Sequence, residues 1–181
     1  MGTIDNSRLK RSNIAGIGGV FTVECYDKYG NKKWEETFDN GWTNAGLLWL
    51  MERSFKSVKP SDLTFYMSLI DTGASLANGD TMASHAGWTE NANYSETARP
   101  VWNNGDPTES IGIVSAVNAT RIEFTCDTDS QTINGAFLSS GNAKSGTAGT
   151  LLATGSFSSE QELNDDDVLK IQYTLKAQKK A

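Results

Sequence analysis

Residues 19–38 read Gly19-Val20-Phe21-Thr22-Val23-Glu24-Cys25-Tyr26-Asp27-Lys28-Tyr29-Gly30-Asn31-Lys32-Lys33-Trp34-Glu35-Glu36-Thr37-Phe38. Phe21, Val23 and Cys25 alternate with Thr22, Glu24 and Tyr26, the period of two that a strand with one buried face requires. Lys28-Tyr29-Gly30-Asn31 supplies a turn, with glycine able to take a positive φ. The return segment puts Trp34, Glu36 and Phe38 on one face and Lys33, Glu35 and Thr37 on the other. Together these predict a β-hairpin. Everything downstream is read against that β start.

The hairpin ends at Asp39-Asn40-Gly41, and Thr43 to Phe55 is the best helix candidate in the chain. Leu47, Leu48, Met51 and Phe55 share one helical face, Thr43 can cap the N-terminus, and Val58-Lys59-Pro60 closes the segment. Leu63, Phe65, Met67 and Leu69 then alternate with Thr64, Tyr66, Ser68 and Ile70. Both faces of that strand are largely apolar, which predicts a place inside a sheet. A polar stretch from Asp71 to about Ala92 follows, long enough for function or an interface, with Asp80 placed to cap a short helical turn over Thr81–His85.

Ala98 to Trp102 reads as extended around Pro100, and Asn103 to Pro107 as a loop. Five further strands are predicted: Ile111–Val117, Arg121–Cys126, Thr132–Leu138, Thr150–Phe157 and Val168–Leu175. About eight strands with one helix after the first hairpin predict a mainly β fold, an antiparallel β-sandwich or jelly roll. No fixed repeat is visible. The expected organisation is an extended N-terminal arm, residues 1–16, ending at the glycine-rich Gly16-Ile17-Gly18-Gly19, and one domain over 17–181. Thirteen extended residues reach about 40 Å.

Composition narrows the function classes. The 181 residues carry 16 Lys and Arg against 22 Asp and Glu, for a net charge of −6. Proteins that coat nucleic acid are usually basic, so that class is disfavoured. The apolar runs are no longer than Leu47-Leu48-Trp49-Leu50-Met51, far short of the roughly 20 residues of a membrane-spanning helix. Residues 1–13 hold no apolar block, so no secretory signal is expected. They carry Arg8, Lys10 and Arg11 against Asp5, and residues 176–181 carry Lys176, Lys179 and Lys180. The body between therefore carries −11, which the +5 of the two ends offsets to the chain's −6. An acidic body with basic ends suits docking, and Arg8, Lys10 and Arg11 are the candidate docking residues of the arm.

Signals for chemistry are few. His85 is the only histidine. A Ser–His–Asp machine would have to use it, yet Ser84-His85-Ala86-Gly87 holds no nucleophile elbow, so a local hydrogen-bonding role is expected. One His with Cys25 and Cys126 matches no zinc spacing. Both cysteines sit in strand patterns and are expected to be buried, inert thiols. Asp127-Thr128-Asp129-Ser130 lacks the glycine and glutamate of a calcium loop. That segment and Asp165-Asp166-Asp167 are read as hydrated acidic turns. Gly16-Ile17-Gly18-Gly19 precedes a strand rather than a helix, which fails the phosphate-loop test. No catalytic, cofactor or metal residue is assigned. The remaining candidates are aromatic. Trp34 and Trp49 fit core faces. Trp42, Trp88 and Trp102 lie at loop edges and, with Met82 and His85, are the expected subunit interface.

Five segments carry a family resemblance: Gly19 through Trp34, Thr43-Asn44-Ala45-Gly46-Leu47, Asp80-Thr81-Met82-Ala83-Ser84-His85-Ala86-Gly87-Trp88, Thr132-Ile133-Asn134-Gly135-Ala136-Phe137-Leu138, and Asp167 through Leu175. Over about residues 19–176 the chain resembles small virion structural proteins of tailed bacteriophages, of the capsid decoration or cement type. The resemblance implies a non-enzymatic protein without a cofactor, made in the host cytoplasm and placed on the capsid exterior. Its implied partner is the major capsid protein. The expected state is a symmetric homo-oligomer, a trimer favoured, with no nucleic acid and no membrane partner. The alternative is a head- or tail-fibre module binding host surface glycans. An enzyme acting on cell-wall polymer is the least favoured reading.

Overall fold

The computed structural model describes residues 16–61, 64–110 and 113–178. The opening hairpin forms as its alternation requires. Strands β1 (Gly16–Tyr26) and β2 (Lys32–Trp42) pair antiparallel, with Phe21 opposite Phe38 and Cys25 opposite Trp34. Phe21, Val23 and Cys25 are wholly buried. The turn is locked by the Asp27 carboxylate, which accepts from the backbone N–H of Tyr29 (2.9 Å) and of Asn31 (2.8 Å) and from the Asn31 side chain (3.0 Å). Gly30 takes φ 83° there.

Helix α1 (Asn44–Phe55) follows at once, capped by the Thr43 hydroxyl, which accepts from Gly46 N–H at 3.0 Å. The remaining strands are β3 (Phe65–Asp71), β4 (Glu90–Asn91), β5 (Val101–Trp102), β6 (Thr108–Ser110), β7 (Ile113–Val117), β8 (Ile122–Thr125), β9 (Gln131–Ser139), β10 (Leu151–Leu163) and β11 (Val168–Gln178). They form one antiparallel sheet in the order β4-β3-β9-β10-β2-β1-β11-β7-β6, with β5 on β3 and β8 on β11. β2 joins the two halves. It pairs β1 along most of its length, and its last residues, Gly41 and Trp42, pair Thr154 and Ala153 of β10. The halves close over one core. Rings run through it from Tyr173 to Phe21, Phe38, Phe157 and Trp34 at centroid separations of 4.6 to 5.7 Å.

The mainly β, sandwich-like architecture with one helix after the first hairpin is therefore the observed one. The extra strands beyond the expected eight are β4, β5 and β6, too short for a period. Three readings are corrected. The glycine-rich stretch Gly16–Gly19, expected to end the arm, is strand, paired with β11 from Gly16–Gln178 to Gly19–Leu175. Gly19 is a glycine because the Tyr173 ring occupies the space of its Cβ. The Thr81–Ser84 segment is a tight turn closed by reciprocal backbone bonds, not a helical turn. The Asp80 carboxylate instead accepts from Ala77 N–H and Trp88 Nε1, both at 2.9 Å. Arg8, Lys10 and Arg11 lie outside the described residues.

Candidate functional site

Two regions gather the candidate residues. The first is a half-open cleft of ≈ 230 Å³ at the end of the 71–92 segment, walled by Met82, His85, Trp88 and Thr89 on one side and by Ser145, Gly146 and Thr147 on the other, over a floor of Glu90 and Arg99. Pairing of β4 with β3 places Glu90 opposite Ile70. Arg99 is brought in by the extended chain before β5. Its guanidinium grips Glu90 bidentately, Nε to Oε1 at 2.9 Å and Nη2 to Oε2 at 2.6 Å. The other N–H groups go to Ser139 Oγ, Gly141 O and Gly146 O. A guanidinium has five N–H donors, and all are used.

Glu90 is engaged to the same degree. Oε1 also accepts from the Ser68 hydroxyl, and Oε2 from Ser145 N–H at 2.7 Å. The two side chains are only 1% and 5% exposed. A buried carboxylate surrounded by this many donors is an anchor for three chain segments, not an acid or base waiting for a substrate. Lys144 adds to the clamp by donating to Tyr94 O and sitting 3.9 Å from the centre of the Tyr94 ring. Burial raises the pKa of the Tyr94 hydroxyl, which shares a 2.9 Å hydrogen bond with Ser68 Oγ.

His85 stacks on Trp88 at 4.0 Å and bonds through Nδ1 to Trp88 O at 3.0 Å. A carbonyl only accepts, so Nδ1 carries the proton and Nε2 is an acceptor in the neutral ring. Trp88 is buried, tilts against Phe137 at 5.1 Å and satisfies its indole N–H on Asp80. With Met82, Ile70, Phe137 and Leu151 it forms a small second core.

Most of the residues expected at the subunit interface lie inside the single chain. Trp42, Met82, Trp88 and Trp102 are 6%, 1%, 4% and 7% exposed, covered by the chain's own strands. Trp102 stands edge-on to Tyr173 at 5.5 Å. Of the five expected interface residues only His85 keeps partial exposure. Trp34 and Trp49 pack against the main core, as their positions suggested.

Thiol and acidic candidates are also taken up internally. Cys25 and Cys126 are free and buried. Burial pushes the Cys25 thiol up to about 12 and also raises that of Cys126, so both stay protonated at neutral pH. Asp167 pairs with Lys33 and accepts from Asn164 N–H, and Asp129 accepts from Asp165 N–H. Among the described residues no group of three His, Cys, Asp or Glu is arranged for a metal ion. No described helix is long and apolar enough to cross a membrane.

The second region was not singled out as a site by sequence. Helix α1 lies on β10 through Gly46, which abuts the Leu152 backbone where a Cβ would collide. Trp49 meets Phe65 edge-on at 4.9 Å, and Leu50 is half-buried beside it. An apolar stripe on a surface helix ordinarily turns to the core. Here Leu47, Leu48, Met51 and Phe55 face outward at 38%, 59%, 57% and 79% exposure, and Val58 just beyond is 77% exposed. A signal was available: Leu47-Leu48-Trp49-Leu50-Met51 surrounds a helix with apolar side chains, and one sheet can cover only part of that circumference. A second exposed apolar group, Val101, Ile113, Val114 and Val117, lies on β5 and β7. No family model, curated protein or solved structure matches this chain.

Proposed function

We propose that this protein is a non-enzymatic structural component of a phage particle, a decoration protein that attaches in many copies to the assembled capsid and stabilises it. The observation that carries the reading is the contrast between its polar and apolar groups. The buried Arg99–Glu90 pair and the buried Asp167 carboxylate, paired with Lys33, bond internally, while large apolar side chains of α1 and β7 stand in solvent. Contiguous exposed apolar surface marks protein–protein contact. The family resemblance supplies the kind of assembly, with the major capsid protein as partner. In this reading Arg8, Lys10 and Arg11 add charge-assisted contacts from the N-terminal arm to acidic groups of the shell.

A ligand that binds only the assembled state stabilises it by about 2.7 kcal/mol per site at 100 times its Kd. Particles carrying the protein are expected to release their genome at a higher temperature than particles lacking it. A gel of purified particles is expected to show a copy number approaching that of the major capsid protein. Equal release temperatures with only a few copies per particle would overturn the decoration reading. A second reading, a fibre-associated glycan-binding module, draws on the His85 cleft, where the Thr89, Ser145 and Thr147 side chains border an aromatic wall. Saturation-transfer NMR against host surface glycans tests it.

A further inference from the structure

We propose that the outward face of α1 is the surface on which a second copy of this chain docks, helix against helix. The inference deepens the reading above and rests on it only for the purpose such an oligomer serves. The pattern comes first. Leu48, Met51 and Phe55 follow one another at intervals of three and four residues along α1, and Val58 continues the exposed strip beyond the extended C-cap at Lys56. Along the helix that is the spacing by which one helix packs apolar side chains against another, and a second copy presents a strip of the same length and chemistry. Leu47 widens the strip on one side.

Area supports a protein occupant of ordinary size. At the observed exposures the five side chains present on the order of 500 Å² of apolar surface. A standard interface buries about 800 Å² on each partner, a little over half of it apolar. The α1 strip therefore supplies about the apolar share that one partner needs.

Charge favours a copy over a strongly charged partner. Beside the seam Glu52 pairs with Lys56 at 2.8 Å, so that flank is internally neutralised. The net charge of the whole chain is −6 over 181 residues and is screened within about 8 Å at physiological salt. The face is also rigid. Thr43 bonds the β10 carbonyls, Gly46 sits against Leu152, and Lys56 N–H closes the helix on Glu52 O at 3.0 Å. A pre-ordered surface loses little conformational freedom on binding.

The test uses the full chain, of 19.6 kDa, in analytical ultracentrifugation over about 1 to 100 μM. A reversible multiple of the monomer mass is expected. Met51→Glu and Phe55→Glu should each weaken it by about 100-fold or more while circular dichroism and melting stay those of the native protein. Val114→Glu, on the exposed part of β7, should leave association unchanged. Ser54→Cys, exposed on α1 in a protein whose two native cysteines are buried, should cross-link copies under mild oxidation. A native chain that is monomeric at 100 μM overturns the proposal, as does association that survives Phe55→Glu or is lost in Val114→Glu. Failure of the decoration reading shows separately: the protein self-associates through α1 but is absent from, or scarce on, purified particles.

Discussion

The 71–92 segment and helix α1 exchange the roles their compositions suggest. The first is polar and aperiodic, yet it buries Met82 and Trp88 to within a few per cent and carries its own small core. The second holds the longest uninterrupted apolar run in the chain, residues 47–51, yet it keeps Leu48, Met51 and Phe55 in solvent. The difference lies in what each element finds to pair with. Trp88 can be buried because Asp80 accepts its indole N–H and Phe137 receives its ring. Helix α1 has one sheet beneath it, and Gly46, Trp49 and Leu50 use up that contact. Composition tells how much surface wants burial, whereas topology decides which part obtains it.

The largest effect in this comparison should come from removing the clamp under the polar segment. Arg99→Met leaves the Glu90 carboxylate buried without its countercharge and without the two guanidinium bonds, a change that typically costs about 3–5 kcal/mol. For a chain of this size that lowers the melting temperature by about 10 °C or more. The double variant Arg99→Met/Glu90→Leu should recover much of the loss, because no buried charge is then left alone. Calorimetry of both variants checks it, and a double variant as unstable as the single one would show that packing rather than charge holds the site.

Trp88→Ala should follow closely, at about 3–5 kcal/mol from lost burial and the cavity left behind. Denaturant melts measure it. On α1 the expectation is the opposite. Leu48→Ser, at a side chain 59% exposed, should change the stability of the isolated chain by no more than about 0.5 kcal/mol. A larger loss, measured on dilute monomer, would mean that the helix face is already covered within one chain. The pair of measurements sharpens the contrast because both residues are large and apolar and only their surroundings differ.

How much of this was legible depends on the range of the interactions involved. The hairpin, β3, β9, β10 and β11 could be read because alternation is a local signal and their pairing follows it. Thr43 as the cap of α1 was equally local. The short strands β4 and β5 were not legible, since two residues show no period. They are ordered by Arg99, whose partners at Ser139, Gly141 and Gly146 are 40 or more positions away. The burial of Trp42, Trp88 and Trp102 was missed for the same reason. An indole in polar surroundings reads as surface until Phe137 or Tyr173 is seen against it. The exposure of α1 follows from Gly46 meeting Leu152, a contact between residues over a hundred positions apart. The arrangement of the His85 cleft was out of reach as well, because its opposite wall comes from the 145–147 loop.

The smallest expected effect separates the two regions by pH. Glu160 of β10 accepts from Gly73 N–H at 2.6 Å and from the Thr72 hydroxyl, tying down the start of the polar segment. These bonds, the Thr72 hydroxyl foremost, hold its carboxyl below the usual value of 4.5. A carboxylate whose folded pKa is depressed contributes stability that is fully present above the unfolded pKa and is lost as pH falls through the folded one. The tie at Thr72–Gly73 should therefore be intact at pH 7 and weaken progressively below about pH 4.5. Helix α1 carries the Glu52–Lys56 pair, but its seat on β10 depends on Thr43, Gly46 and Trp49, none of which titrates in that range. Amide exchange at Gly73 should accelerate on acidification beyond the ordinary pH dependence of exchange, while the Gly46 amide follows the ordinary dependence alone. Glu160→Gln at pH 7 should reproduce the acid behaviour at Gly73. The side chain is exposed, so solvent screens its bonds, and the change should be local, with the global melt almost unmoved. If Gly73 and Gly46 respond alike, the polar segment is not an independently opening unit, and the contrast between the two regions is one of burial alone.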